Sequence, residues 1–177
     1  MLNPIWSTIS VARFSKAGSI HLSGTSAGKH VVKVFRSTIL EAPIEAVWDV
    51  LRDFNGHDRW HPAVATSQIE RGREADRVGS VRKFRLGDGS ELREQLLALS
   101  DSDASYSYCL LDTPLPLFNY VSHVRLIPVT DEDHTFWQWE GQFSTFADQQ
   151  DALIEMVGND IYQAGFDAIR ADMGLGA

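Results

Sequence analysis

The chain has 177 residues, 44% of them hydrophobic and 23% charged, the balance of an ordinary globular protein and enough for one domain with a sizeable core. A net charge of −8 and a pI near 5.1 speak against nucleic acid or an anionic membrane surface as a partner. The single cysteine, Cys109, rules out an internal disulfide and any cysteine-rich metal site, and no run is long and apolar enough to span a membrane as a helix.

The amino terminus has its own composition. Residues 1–40 hold five Lys/Arg and no acid, and Leu2, Ile5, Ile9 and Ala12 fall at helical spacing ahead of Arg13 and Lys16. A Gly/Ser-rich stretch follows over residues 17–28. An organelle transit peptide has this character; a disordered extension or a start codon set too early are the plainer readings. Residues 1–29 are therefore set apart as an N-terminal extension, and residues 30–177 as the domain. The expected location is the cytoplasm, with organelle import the alternative if the extension is a transit peptide.

Residues 31–40, VVKVFRSTIL, are β-branched and predict a strand. Pro43 suits the first turn of a helix, in which Ile44, Val47, Trp48 and Leu51 form one apolar stripe. A second short helix or turn over residues 53–61 is stopped by Pro62. Within it His57 and His61 are four apart, a spacing that can aim two imidazoles at a metal. With only Asp58 nearby as a third ligand, polar contacts at the helix end are the preferred reading and no metal is assigned.

Short strands then follow in sequence. Residues 65–70 precede a charged loop, and two β-type runs flank Gly87-Asp88-Gly89, a hairpin signal. Tyr106, Tyr108 and Leu110 share a face of the next strand, ahead of a loop with two prolines over residues 112–119. Tyr120, Ser122, Val124 and Leu126 share a face of another, with His123 and Arg125 opposite. Trp137, Trp139 and Phe143 share a face of the last. Residues 148–173 read as one long helix, with Ile154, Val157, Ile161, Gly165 and Ala168 in a stripe that Tyr162, Phe166, Ile169 and Met173 widen. Strands in a run with helices segregated from them give the α+β class: a curved antiparallel sheet around a long C-terminal helix, with two short helices after the first strand. A sheet so curved cannot close on one helix everywhere, which predicts a cavity between them.

The hairpin carries the chemistry. A three-residue turn at Gly87–Gly89 pairs Leu86 with Ser90, Phe84 with Leu92 and Arg82 with Glu94. A two-residue turn would place Lys83 opposite Glu94 and rotate one strand's apolar set into water. The odd loop is favoured, with Phe84, Leu86, Leu92, Leu96 and Ala98 facing the core. Arg82 and Glu94 then stand side by side on an apolar inner face. A cross-strand salt bridge is the plain reading, but desolvating an inward ion pair is costly. By strand parity Arg82, Glu94, Tyr108 and Tyr120 face the cavity.

APIEAVWDVLRDF, the VGSVRKF and LREQLLAL strands and the long terminal helix resemble the START-like, or SRPBCC, superfamily. This is the helix-grip fold of Bet v 1-like proteins and of the polyketide cyclase/dehydrase group, and the resemblance spans residues 31–173. In VG-x-VR, E-x-L-x-AL and SYSY the chain is similar to plant lachrymatory-factor synthases. That resemblance puts Arg82, Glu94, Tyr108 and Tyr120 where those enzymes keep proton-transfer and substrate-orienting groups. Through Glu94 and Asn119-Tyr120-Val121-Ser122 it is also similar to abscisic-acid receptors, whose gate and latch are replaced here by Gly87-Asp88-Gly89 and Thr113-Pro114-Leu115-Pro116-Leu117.

Three functions follow as expectations. The first is binding of a small hydrophobic ligand by Arg82, Glu94, Phe84, Tyr108, Tyr120, Trp137, Trp139, Ile161 and Gly165, with the Pro/Leu loop as a lid. The second is a cofactor-independent cyclase, dehydrase or isomerase in which Glu94 moves a proton and Arg82, Tyr108 and Tyr120 stabilise an oxyanion. The third is an interaction role through an exposed apolar surface over residues 114–118. No cofactor, nucleic acid or membrane span is expected, and the sequence leaves the oligomeric state open.

Overall fold

A computed structural model describes residues 29–175 of the chain. Apart from Lys29, the N-terminal extension lies outside the described residues. The strands are β1 (Lys29–Leu40), β2 (Val64–Ile69), β3 (Val81–Leu86), β4 (Glu91–Ser100), β5 (Ser105–Asp112), β6 (Phe118–Val129) and β7 (His134–Phe146). They form one antiparallel sheet in the order β1-β7-β6-β5-β4-β3-β2. Two short helices, α1 (Ile44–Leu51) and α2 (His57–Trp60), cross from β1 to β2, so the first and second strands stand at opposite edges. Pro43 is the residue just before α1, with φ −59° and ψ 147°, and Val47, Trp48 and Leu51 carry the buried stripe.

The hairpin adopts the three-residue turn. Arg82 pairs with Glu94 and Phe84 with Leu92, and the Leu86 amide donates to the Ser90 carbonyl. Gly89 takes φ +86°, a backbone state that suits glycine, while the Asp88 carboxylate accepts the Ser90 amide at 2.9 Å. Further along β4 the expected alternation fails. Leu96 pairs with Tyr108 but Ala98 pairs with Ser107, so Leu97 is an extra residue in a β-bulge. A bulge shifts the face parity beyond it. Ala98, expected in the core, is exposed, and Leu99 packs against the core instead.

The segment expected as one α-helix is composite. A 3-10 turn (Ala147–Gln149) leads into α3 (Gln150–Glu155), a π-helical stretch (Met156–Gln163) and α4 (Ala164–Asp172). The wider turn moves the next large buried side chain after Val157 from Ile161 to Tyr162, and the stripe then continues at Phe166 and Ile169. Leu153, Val157, Phe166 and Ile169 are fully buried, each contributing about 1.5–3 kcal/mol. Trp139 stacks on Tyr162 with centroids 4.5 Å apart, and Trp137 meets Phe166 edge-on at 4.6 Å. The helix thus lies against the β1–β7 side of the sheet, and a separate apolar cluster of Val64, Phe84 and Leu92 forms on the β2–β4 side.

Candidate functional site

The space left between helix and β2–β5 is a cavity of about 430 Å³, within the ~300–1,000 Å³ typical of small-molecule sites. Val64, Phe84, Leu92 and Leu110 line it from the sheet, and Met156, Val157 and Ile161 from the helix. Leu115 and Leu117, from the loop between β5 and β6, complete the wall. Both leucines are buried. This corrects the expectation of an exposed apolar surface over residues 114–118: the loop turns its leucines into the cavity and leaves Pro114 outside.

Arg82 is 1% exposed and Glu94 6%. The Arg82 Nε and Nη2 groups both donate to one carboxylate oxygen, Glu94 Oε2, at 2.8 and 2.5 Å. Nη1 donates to the Phe54 carbonyl at 2.5 Å and to His57 Nδ1 at 2.8 Å. The guanidinium also lies over the Phe54 ring, 4.0 Å from its centroid, a favourable cation–π arrangement. One N–H of Arg82 is left over, so the protein itself nearly saturates this cation. Glu94 Oε1, by contrast, takes no hydrogen bond from any described residue, and Glu94 lines the cavity. Burial raises the Glu94 pKa above the ordinary carboxylate value, and the adjacent Arg82 opposes that rise without cancelling it.

A second polar group sits on the same inner surface. Tyr120 and Tyr162 share a hydrogen bond at 2.6 Å. Ser122 donates to the Glu140 carbonyl at 2.8 Å and accepts from Trp139 Nε1 at 2.9 Å. The same indole N–H reaches Tyr108 Oη at 3.2 Å. Tyr108 is an acceptor there, and its own hydroxyl proton has no acceptor among the described residues. Burial pushes the Tyr108, Tyr120 and Tyr162 pKa values well above the usual phenol value, so all three are neutral donors at pH 7. Gly141 makes room for the pair: a Cβ there would fall 2.2 Å from Tyr162 Oη and 3.1 Å from Tyr120 Oη.

His57 and His61 stack at the cavity's other side, ring centroids 6.1 Å apart and planes at 12°. His61 Nδ1 accepts the Ala63 amide at 3.2 Å and Nε2 contacts the Ile161 carbonyl at 3.0 Å, tying the end of α2 to the π-helical stretch. Burial holds the His61 pKa down at about 4 and the His57 pKa well below its ordinary value. Among the described residues no cluster of three metal-ligating side chains occurs.

Of the residues expected at the site, Arg82, Glu94, Phe84, Tyr108, Tyr120, Trp139 and Ile161 line the cavity. Trp137 and Gly165 stand behind the wall. Trp137 is fully buried against Trp60, Trp139 and Phe166. Gly165 lets the helix run close to Trp139, whose Cζ3 would lie 3.0 Å from an added Cβ. His123 and Arg125 are exposed on the outer face. Sequence reasoning missed His57 and His61 as cavity residues and Tyr162 as the partner of Tyr120. The HDRWHP spacing was a signal for the histidines; nothing in the sequence marked the π turn.

A sheet curved around one long helix, with an internal cavity between them, is a helix-grip fold, an architecture built to hold small ligands. A solution structure of a Thermobifida fusca protein is 27% identical with a TM-score of 0.73, over 80% of this chain and 93% of that one. A Bacillus thuringiensis protein is 26% identical with a TM-score of 0.71, over 80% and 98%. Norcoclaurine synthase from Thalictrum flavum, solved with dopamine and hydroxybenzaldehyde, shares the fold at 12% identity and a TM-score of 0.66, over 91% and 99%. No curated protein sequence matches the chain. The family model described as polyketide cyclase/dehydrase and lipid transport matches residues 31–174, and the chain belongs to that family.

Proposed function

We propose that the cavity binds a small hydrophobic ligand whose polar group rests against Glu94 and Tyr108. The observation that carries this reading is the pairing of apolar walls with two uncommitted groups, Glu94 Oε1 and the Tyr108 hydroxyl proton, on one inner surface. Apolar contact supplies most of the affinity, and the polar pair selects orientation. Arg82 holds the carboxylate in place and has little left to offer a ligand directly.

The raised pKa of Glu94 favours a second reading, a cofactor-independent enzyme. A carboxyl pushed up by burial and restrained by a cation can give or take a proton at the cavity surface, and Tyr108 and Tyr120 can donate to an oxygen as negative charge develops on it. Cyclisation, dehydration and isomerisation of a carbonyl compound need only those groups.

One experiment separates the two. Purified protein and its Glu94→Gln variant are incubated with a panel of hydrophobic carbonyl and polyketide-like compounds, and the recovered compounds are weighed by mass spectrometry. A compound retained unchanged supports binding alone. A compound converted by the wild type and not by Glu94→Gln supports catalysis. If nothing is retained or converted, both readings fall.

A further inference from the structure

The charges on the cavity wall do not balance. Arg82, Glu94, Glu155 and Asp160 line it, one base against three acids. The base is fully engaged: its Nε and Nη2 groups bind Glu94, and Nη1 binds the Phe54 carbonyl and His57 Nδ1. Burial keeps His57 and His61 neutral at pH 7. An anionic ligand therefore meets no uncommitted cation among the described residues of this wall.

The acids stand at two depths. Glu94 is 6% exposed, with Oε2 taken by Arg82 and Oε1 free. That oxygen is open to the cavity. Among the described residues, the buried side-chain polar atoms that are both unpartnered and sealed off lie on His57, Trp60, Tyr106, Trp137, Thr145 and Gln149, and Glu94 Oε1 is not one of them. An ionised carboxylate only accepts hydrogen bonds, so this oxygen calls for a donor. Glu155 and Asp160 are exposed and line the same cavity, which puts them at its rim on the helix side. On an α-helix, positions five apart point about 140° away from each other. The π-helical stretch (Met156–Gln163) closes a wider turn through i→i+5 bonds, and both carboxylates border one opening. Asn159 Nδ2 donates to Glu155 Oε1 at 2.7 Å, while Asp160 has no hydrogen bond or ion pair with any described residue.

We propose that the cavity takes a hydrophobic primary amine, whose ammonium donates to Glu94 Oε1 while Glu155 and Asp160 draw the cation in from the rim. This rests on the reading of the cavity as a ligand site and names the polar group of its ligand. Charges of one sign around a low-dielectric cleft focus the field and concentrate the opposite charge there. The two rim carboxylates also offset the positive charge that the amine brings to the paired Arg82 and Glu94. An ammonium beside Glu94 adds a second cation that holds the carboxylate ionised against the effect of burial. A neutral alcohol gains the hydrogen bond without the attraction, and a free acid is repelled.

The test compares naphthylethylamine, naphthylethanol and naphthylacetic acid, which share one apolar body and differ in charge, by isothermal titration calorimetry at pH 7. The wild type is expected to bind the amine about tenfold more tightly than the alcohol, and the acid least of the three. In Glu94→Gln the ratio of amine to alcohol affinity should fall to about one, and because a ratio is read, a general loss of packing cancels. Asp160→Asn alters an exposed side chain and leaves the buried pair alone. It should weaken the amine about threefold at low salt, leave the alcohol unchanged, and lose its effect at about 1 M salt, where screening acts within ~3 Å. Three results overturn the inference: alcohol bound as tightly as amine by the wild type, an amine preference that survives Glu94→Gln, or amine affinity indifferent to Asp160→Asn. Binding of the alcohol in any of those cases leaves the cavity reading intact. Binding of none of the three compounds overturns both.

Discussion

Replacing Arg82 by methionine isolates the energetics of the buried pair. The change removes the one cation that, among the described residues, pairs with Glu94, a carboxylate 6% exposed, and deprives the Phe54 carbonyl and His57 Nδ1 of their donor. Breaking a buried ion pair on one side costs about 3–5 kcal/mol, chiefly because the remaining charge is stranded. The loss should depend on pH in a definite direction. Burial already raises the Glu94 pKa against Arg82's pull, and without Arg82 it rises further. The folded variant then keeps a proton that the unfolded chain releases above the ordinary glutamate pKa of ~4.3. Stability falls as pH rises through that window, by at most about 1.4 kcal/mol per pH unit. Urea denaturation of Arg82→Met and of Arg82→Met/Glu94→Gln, each at pH 6 and pH 8, reads this out. The double variant should be the more stable at pH 8, by about 2–3 kcal/mol, and the gap should narrow at pH 6. The comparison of two variants at one pH cancels the titration of His61. A loss below about 1 kcal/mol for Arg82→Met at pH 8, or no rescue by Glu94→Gln, would refute the assignment of a desolvated, mutually dependent pair.

Gly141→Ala drives a methyl group against Tyr162 Oη and should cost about 1–3 kcal/mol in urea unfolding. Tyr162→Phe in the same chain removes the obstructing oxygen, so strict additivity of the two changes would contradict the space argument. His61 binds its proton at about 4 in the fold against ~6.5 when unfolded. The unfolded chain therefore protonates first, and stability falls as pH drops from ~6.5 toward 4, by about 3 kcal/mol from this residue. His61→Gln should flatten that part of the acid-unfolding curve, and an unchanged slope would reject the assignment.

The β3–β4 hairpin was legible because its register is overdetermined. One slip would turn Phe84 and Leu92 outward, so the apolar pattern alone puts Arg82 opposite Glu94. The order of elements was legible for the same reason, since each carries its own period. What escaped depends on geometry that no local pattern encodes. The bulge at Leu97 exchanges the faces of Ala98 and Leu99, although the residues on either side keep a plain strand alternation. The π turn moves the buried position to Tyr162, where a strict 3.6-residue period points to Ile161. The contact of His57 with Arg82 spans 25 positions of sequence, and a reading confined to HDRWHP reached only polar contacts at the helix end or a metal.

The polar end of the cavity has an energetic oddity that bears on its purpose. Apolar residues of similar volume in place of a buried ion pair are often neutral or stabilising, so stability does not by itself account for Arg82 and Glu94 on this wall. Their contacts do something an apolar wall cannot. Arg82 reaches Glu94 on β4, the Phe54 carbonyl in the link between the short helices, and His57 on α2. From one position it holds a carboxylate with one oxygen turned free and an imidazole in a single tautomer. Both results are directional, and both are lost together when the guanidinium goes. The cation therefore acts as a template: it is consumed by the protein so that the Glu94 carboxylate keeps one acceptor oxygen uncommitted on the wall of an apolar cavity.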